Sequence, residues 1–185
     1  QTKMNSFIKA FRALSVLLSG CTCTDNKTDI PVDLSLNAYV NPFVGTSGFG
    51  NVYPGSQIPF GGIQISPDTD NDYYDAASGY KYNHMTLMGF SLTHLSGTGI
   101  PDLGDFLFIP GTGTKKFIPG THDNPDEGYR SRYSHERECA TPNYYGVDLL
   151  DYNVKSDMTP AIRPAIFGFT FPQSDSPLVM VDMAL

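Results

Sequence analysis

Short apolar runs separated by glycine and proline dominate the chain from Tyr39 onward. Residues 58–65 and the segments "MTLMGFSLTHL" and "DFLFI" have the length and composition of β-strands. Within the first of them, Gly61-Gly62 indicates a bulge or a close approach of two backbones. Phe167, Phe169 and Phe171 recur at every second position in "AIFGFTF", which places them on one face of a strand.

The region from residue 129 to the end predicts a meander of further strands. "YRSRYSHERE", "YYGVDLLDYNVKSDM" and "PLVMVDMAL" all fit strands, and turn residues separate them. No segment has the apolar spacing of a long amphipathic helix. The pattern therefore predicts an all-β fold, an antiparallel β-sandwich. The apolar run 178–185 is expected to need a strand on each side, which indicates the N-terminal part of a larger protein.

Composition supports this fold and narrows the functions. Eleven tyrosines, 12 phenylalanines, 18 glycines and 14 prolines among 185 residues suit short strands joined by turns. The 12 lysines and arginines are scattered and the formal net charge is -7. Because no basic patch is present, nucleic acid is excluded as a partner.

Residues 1–20 have the features of an export signal, with a basic start, a short apolar run and small residues. The apolar run is too short to span a membrane. "LSGC" is similar to the lipoprotein box, so Cys21 is predicted to carry lipid and to anchor the exported protein to a membrane, at the periplasm or the cell surface. A plain secretory signal is the alternative. Residues 21–38 are predicted to be a polar tether and residues 39–185 the folded domain.

The other cysteines add little chemistry. A disulfide between Cys23 and Cys139 is conceivable, although a tether rarely pairs with a fixed site. No two domain cysteines have the spacing of a zinc site.

The stretch "HLSGTGIPDLGD", residues 94–105, concentrates glycine, hydroxyl, carboxylate and imidazole groups. Gly99 and Gly104 have the spacing of two phosphate-loop glycines, but Asp105 follows where a lysine belongs and would repel phosphate. Ser96 does not lie in the G-x-S-x-G elbow of a nucleophilic serine. Phosphate binding and serine catalysis are therefore not expected.

"DTDNDYYD", residues 68–75, begins like a calcium loop. Tyr73 stands where that loop turns on glycine, and Gly79 stands where its final glutamate belongs, so a solvated acidic turn is the favoured interpretation. The four histidines lack the HExxH spacing of a zinc enzyme.

A sugar site remains open. Aromatic faces stack on sugars, and polar groups on glycine-rich loops hydrogen-bond their hydroxyls. The candidates are Tyr73, Tyr74, Tyr80, Tyr82, His94, Ser96, Thr98 and Asp102. Alternatively, the tyrosines pack against the sandwich with their hydroxyls at its rim.

The segments "VNPFVGTSGFGNVYPGSQIPFGGIQISPDT", "SGYKY", "GFSLTHLSGTGIPDLGD" and "YRSRYSHERECATPNYYGVDLLDYNV" resemble glycoside hydrolase family 92, from about Tyr39 to the chain end. The resemblance implies an exported bacterial α-mannosidase that removes mannose from glycans. It implies an N-terminal β-sandwich packed on an (α/α)₆ toroid, a C-terminal domain that is missing from this chain. It also implies calcium dependence and inversion of configuration, with two carboxylates about 6.5–9.5 Å apart.

In the family, the acid, the base and the calcium ligands come from the toroid, so the resemblance implies no catalytic residue and no metal ligand in this segment. It implies that sandwich loops line the mannose pocket. The substrate-binding residues predicted on that basis are Tyr74, Ser78, Gly79, His94, Gly97, Thr98, Gly99 and Asp102. Many relatives carry tryptophans before "SGY", whereas this chain has "YDAASGY" and no tryptophan. The alternative function is a carbohydrate-binding lipoprotein without catalysis.

Overall fold

The computed structural model describes residues 36–70, 76–97, 99–100, 104 and 106–183. These residues form eleven β-strands and three single-turn 3₁₀ helices, at Leu36–Tyr39, Pro125–Glu127 and His135–Arg137. The strands are β1 Ser56–Gln57, β2 Gln64–Asp68, β3 Thr86–Leu87, β4 Gly89–Ser91, β5 Leu107–Thr112, β6 Ser131–Arg132, β7 Glu138–Thr141, β8 Tyr144–Leu149, β9 Val154–Pro160, β10 Ala165–Thr170 and β11 Pro177–Asp182.

Two antiparallel sheets form the sandwich. One has the strand order β1-β2-β4-β5-β11 and the other β10-β9-β8-β7, while β3 and β6 pair separately. Aromatic rings pack between the two sheets. The ring centre of Phe90 in β4 lies 6.2 Å from that of Phe169 in β10, and the ring centre of Phe108 in β5 lies 4.9 Å from that of Phe167. The predicted all-β antiparallel sandwich is confirmed.

The period-two prediction for β10 is also confirmed. Phe167, Phe169 and Phe171 pack against the main core, whereas Ile166 on the opposite face is 54% exposed. In β9 the buried and half-buried positions alternate in the same way. Side chains of a strand point to opposite faces in turn, so this alternation assigns one face of the sheet to the core.

The predicted strand over residues 58–65 is wrong for residues 58–63, whereas Gln64 and Ile65 begin β2. Around this region, only β1 and β2 pair as strands. Between them, Gly61 N donates to Ile58 O at 2.8 Å and forms a turn. Gly62 N donates to Ile162 O at 2.8 Å, so the glycine pair does mark a close approach of two backbones.

The last strand has one of its two expected neighbours. Residues 177–182 pair with β5 along their whole length, and β11 lies at the sheet edge among the described strands. Cys139 is buried in β7, whereas Cys21 and Cys23 lie outside the described residues together with the predicted signal segment and most of the tether. None of the helices in the described part of the chain has the length and apolar character required to span a membrane.

Candidate functional site

Three glycine-rich loops, residues 45–53, 76–82 and 93–97 with 99–100, meet beyond β2 and β4. Gly97 N donates to Asn51 O at 2.6 Å, and Tyr82 N donates to Thr46 O at 2.9 Å. The Lys81 ammonium group donates to Gly48 O at 2.6 Å. These bonds tie the three loops into one surface, which we call the loop cluster. It brings together the segments "VGTSGFGN", "SGYKY" and "THLSGTG".

A buried ion pair lies under the loop cluster. Asp68 ends β2 and His94 follows β4; their side chains are each 3% exposed, and His94 Nε2 lies 2.8 Å from Asp68 Oδ1. Ser91 donates to Asp68 Oδ2 at 2.6 Å. The other ring nitrogen, Nδ1, lies 2.7 Å from Gln64 O. A carboxylate and a carbonyl accept hydrogen bonds, so both ring nitrogens face acceptors and the imidazole is held as the cation.

The pKa of His94 follows from this environment. Burial alone would lower it, but the charge of Asp68, the hydrogen bond to that carboxylate and the bond to Gln64 O together raise the pKa above its usual 6.5. A pKa that is raised in the folded state stabilises the fold fully below the unfolded pKa. The stabilisation is lost as the pH rises through the folded-state pKa of His94.

Gly79 packs directly on this pair. Its φ is +83°, and a Cβ there would lie 2.2 Å from Asp68 Oδ1 and 3.0 Å from the His94 ring. Glycine is therefore required twice over, by the left-handed backbone and by the lack of space. The Gly79 carbonyl accepts from Thr69 N at 2.6 Å, which fixes the 76–82 loop to the end of β2.

Tyr80 anchors the same loop on its other side. Its ring is 1% exposed in the main core, and its hydroxyl donates to the buried Glu138 carboxylate at 2.9 Å. Burial, and then the Glu138 charge, raise the pKa of Tyr80, so the phenol stays protonated and remains a donor. Because the ring faces the core, Tyr80 is not a surface for sugar stacking. Tyr80 packs within the sandwich, as the alternative predicts, but its hydroxyl is buried against Glu138 and does not lie at the rim.

The structure places the predicted site residues in two groups. Gly97 and Gly99 lie exposed on the loop cluster, whereas Ser78, Gly79 and His94 lie within or beneath it. The Ser78 hydroxyl is buried and has no hydrogen-bond partner among the described atoms. His94 is 4% exposed, so its observed contacts are those that hold the loops. Tyr74, Thr98 and Asp102 lie outside the described residues, as do Tyr73 and Asp105.

Two residues of the site, Asp68 and Phe49, are not predicted from the sequence. Asp68 is assigned there to a solvated acidic turn, but it is 2% exposed and pairs with a residue 26 positions away, which no local spacing reveals. Phe49 projects from the loop cluster with 90% of its surface exposed, and the Lys81 ammonium group lies 5.9 Å from its ring centre. An aromatic residue between two glycines in "SGFGN" is the signal that indicates it.

The described residues contain one group with metal-ligating atoms close together, formed by Asp70, His84 and His122. Calcium binds six to eight oxygen ligands. A set with two imidazoles does not fit calcium, so the described part of the chain does not account for the calcium that the family resemblance implies.

Comparison with known proteins agrees with the family resemblance of the sequence motifs in the loop cluster. Residues 39–185 match the glycosyl hydrolase family 92 N-terminal domain. The GH92 alpha-mannosidase BT3965 from Bacteroides thetaiotaomicron is 73% identical; the match covers 80% of this chain and 20% of that chain, with a TM-score of 0.78. BT3965 has also been solved in complex with mannoimidazole, where the match is 73% identical and covers 19% of that chain.

More distant relatives show the same relation. The GH92 inverting mannosidase BT2199 from Bacteroides thetaiotaomicron VPI-5482 is 29% identical, with a TM-score of 0.59; the match covers 78% of this chain and 19% of that chain. An uncharacterized secreted glycosidase of Arthroderma benhamiae is 26% identical over 152 residues, which are 78% of this chain and 19% of that protein.

The chain thus spans about a fifth of the length of the relatives it matches. The family match extends over almost the whole described region, and the motifs that carry it meet around the Asp68–His94 pair. The chain belongs to glycosyl hydrolase family 92 and carries the N-terminal domain of that family.

Proposed function

We propose that this chain is the N-terminal domain of an exported, calcium-dependent, inverting α-mannosidase that hydrolyses mannose from glycans. The observation that carries the proposal is the 73% identity to the alpha-mannosidase BT3965, for which a complex with mannoimidazole is known. The relative BT2199 is an inverting mannosidase, which supports inversion of configuration in the proposed reaction.

The domain's part in the reaction is to build one wall of the mannose pocket. Exposed Gly97 and Gly99 allow close approach of backbone to a sugar or to a second domain, since they have no side chain. Phe49 offers an exposed ring for stacking on the apolar face of a sugar. The buried Asp68–His94 pair keeps these loops in place.

The acid and base of the proposed mechanism lie outside this segment. Inversion requires a general acid for the leaving oxygen and a general base for water on the opposite face of the ring, about 6.5–9.5 Å away. We assign neither role to a carboxylate of this domain, because the acid and the base come from the toroid in the family that the sequence resembles; Asp68 and Glu138 are in addition buried and already hydrogen-bonded. Calcium, bound by residues outside this segment, would help to hold the mannose hydroxyls.

The test uses the protein in its full natural length. We expect it to hydrolyse an aryl α-mannoside and to release β-mannose first, as inversion requires, which NMR of the fresh product detects. A chelator is expected to abolish the activity, and added calcium to restore it. Release of the α-anomer would contradict inversion, and full activity in chelator would contradict calcium dependence. Binding of mannosides without turnover would favour the carbohydrate-binding lipoprotein.

Export and anchoring form a separate part of the proposal. The basic and apolar pattern of residues 1–20, the "LSGC" box and the secreted relative support an exported protein with lipid on Cys21, tethered by residues 21–38. We expect a labelled fatty acid to be incorporated into the wild type and lost in Cys21→Ala, with Cys139→Ala as the thiol control. Equal labelling of wild type and Cys21→Ala would contradict the assignment of the lipid to Cys21.

A further inference from the structure

We propose that Asp70, His84 and His122 form a binding site for a divalent transition metal ion of the zinc type. One ligand atom from each residue lies within 4.8 Å of the others. The residues come from three separate segments: Asp70 follows β2, His84 precedes β3, and His122 lies between β5 and β6. The site shares no residue with the buried Asp68–His94 pair.

The hydrogen bonds of both histidines suit metal ligation. His84 Nδ1 lies 3.1 Å from Thr69 Oγ1, and His122 Nδ1 lies 2.8 Å from Thr86 Oγ1. In the tautomer that carries the proton on Nδ1 and donates it to the threonine oxygen, Nε2 is the ring nitrogen that would ligate a cation. Metal-ligating histidines characteristically have such a partner on the second ring nitrogen, which fixes both the tautomer and the ring orientation.

The contact between His122 and Asp70 points to the same place. His122 Nε2 lies against Asp70 Oδ2, yet this nitrogen makes no hydrogen bond of ordinary geometry with any described atom. The two side chains are 30% and 21% exposed, but His122 Nε2 itself is buried against Asp70, so an ion would bind by separating the two groups, and a water molecule from solvent would complete its coordination. A cation between the nitrogen and the carboxylate would give His122 Nε2 a partner and would be attracted by the charge of Asp70.

The ligand types select the metal. Two imidazoles and one carboxylate suit zinc and its neighbours among the transition metals, whereas calcium and magnesium prefer oxygen. The rings of His84 and His122 lie 3.9 Å apart, centre to centre, at 49°. The imidazoles are thus in direct contact.

Arg130 carries a positive charge that disfavours a metal ion at this site. Its buried guanidinium lies on the Nδ1 side of His122, at 3.4 Å, and donates to Thr69 O and to Thr86 Oγ1. Burial lowers the pKa of Arg130, and the charge of Asp70 raises it, so Asp70 already stabilises this cation. An incoming metal ion competes with Arg130 for that carboxylate. In the absence of metal binding, the cluster would be a structural charge network only.

Occupation of the site would act on the loop cluster. Asp70 N donates to the carbonyl of Gly79 at 3.3 Å, and Thr69, the partner of His84, also donates its N–H to that carbonyl. A metal ion on Asp70 and His84 would therefore brace the end of β2 against the 76–82 loop.

The experiment is a zinc titration of the full-length protein by calorimetry, with calcium present in excess. We expect one saturable zinc ion in the wild type and at least a tenfold loss of affinity in His122→Ala and His84→Ala. Asp123→Asn, next to His122 and exposed, is the matched control and should bind zinc as the wild type does. Cobalt bound at the same site should show visible absorption bands that His122→Ala lacks.

Absence of saturable zinc binding in the wild type would overturn the proposal, as would equal affinity in the wild type and both histidine variants. Near-UV circular dichroism verifies that each variant is folded. Should a histidine variant fail to fold, Asp70→Asn replaces it, with the same loss of zinc affinity expected and unchanged affinity counting against the site. Neither result depends on mannosidase activity.

Discussion

Replacing Asp68 by Asn is expected to lower the free energy of unfolding by about 3–5 kcal/mol, because it removes one partner of a buried charge pair. The change barely alters the volume, so packing is kept. His94 would remain 4% exposed, with no carboxylate beside it, and would have to give up its proton. The Ser91 hydroxyl would lose its carboxylate acceptor at the same time. Chemical denaturation at pH 6.5 measures the loss.

The pH dependence identifies the ion pair as the cause. The pKa of His94 is raised in the folded protein, so the wild-type advantage over Asp68→Asn should be largest below the ordinary histidine pKa of 6.5 and should shrink as the pH rises through the folded-state pKa. Asp123→Asn removes the same charge from an exposed position and should change stability by no more than about 0.5 kcal/mol. A loss below about 1 kcal/mol in Asp68→Asn, or a gap that does not vary with pH, would show that the pair is not ionic.

Gly79→Ala is expected to cost about 2–5 kcal/mol of folding stability. An alanine at φ +83° is strained by roughly 1–2 kcal/mol. Its Cβ would also lie 2.2 Å from Asp68 Oδ1, and such overpacking costs typically 1–3 kcal/mol more. Since the 76–82 loop must move to relieve the contact, the proposed mannosidase should lose on the order of 100-fold in kcat/KM through misplaced pocket groups.

Gly113→Ala separates strain from crowding. Gly113 has φ +84°, but a Cβ there meets nothing within 4 Å, so only the strain of about 1–2 kcal/mol should remain. Gly113 is also absent from the loop cluster, and the activity of this variant should match the wild type. Thermal or denaturant unfolding of both variants gives the comparison. If the two substitutions cost the same, the close contact between Gly79 and Asp68 is not significant.

The strands of the second half were predictable because their signal is local. In β10, every second residue faces the core, and period-two spacing of three phenylalanines is enough to assign the face. Turn residues after β10 mark the end of that strand, whereas the single predicted segment "YYGVDLLDYNVKSDM" contains two strands, β8 and β9, with a turn between them. The prediction for 58–65 failed over residues 58–63, because residues 58–61 form a turn and the close backbone approach beside it involves Ile162, a residue about 100 positions away.

The residues of the candidate sites also differ in whether the sequence alone predicts their position. Gly97 and Gly99 could be placed on a loop because glycine-rich segments form turns. The pairing of Asp68 with His94 could not, because it joins two residues that only the alignment of β2 beside β4 brings together. The same holds for Asp70, His84 and His122, which are 14 and 38 residues apart along the chain.

The sequence by itself determined the strand-rich class, the alternating faces of the later strands and, through long motifs, the family. These features depend on neighbours in the chain or on whole motifs. Only the tertiary structure decided that Tyr80 faces the core, that His94 is a buried cation and that Gly79 has no room for a side chain. Burial and charge depend on which residues lie close in space, and folding sets this through contacts between distant segments.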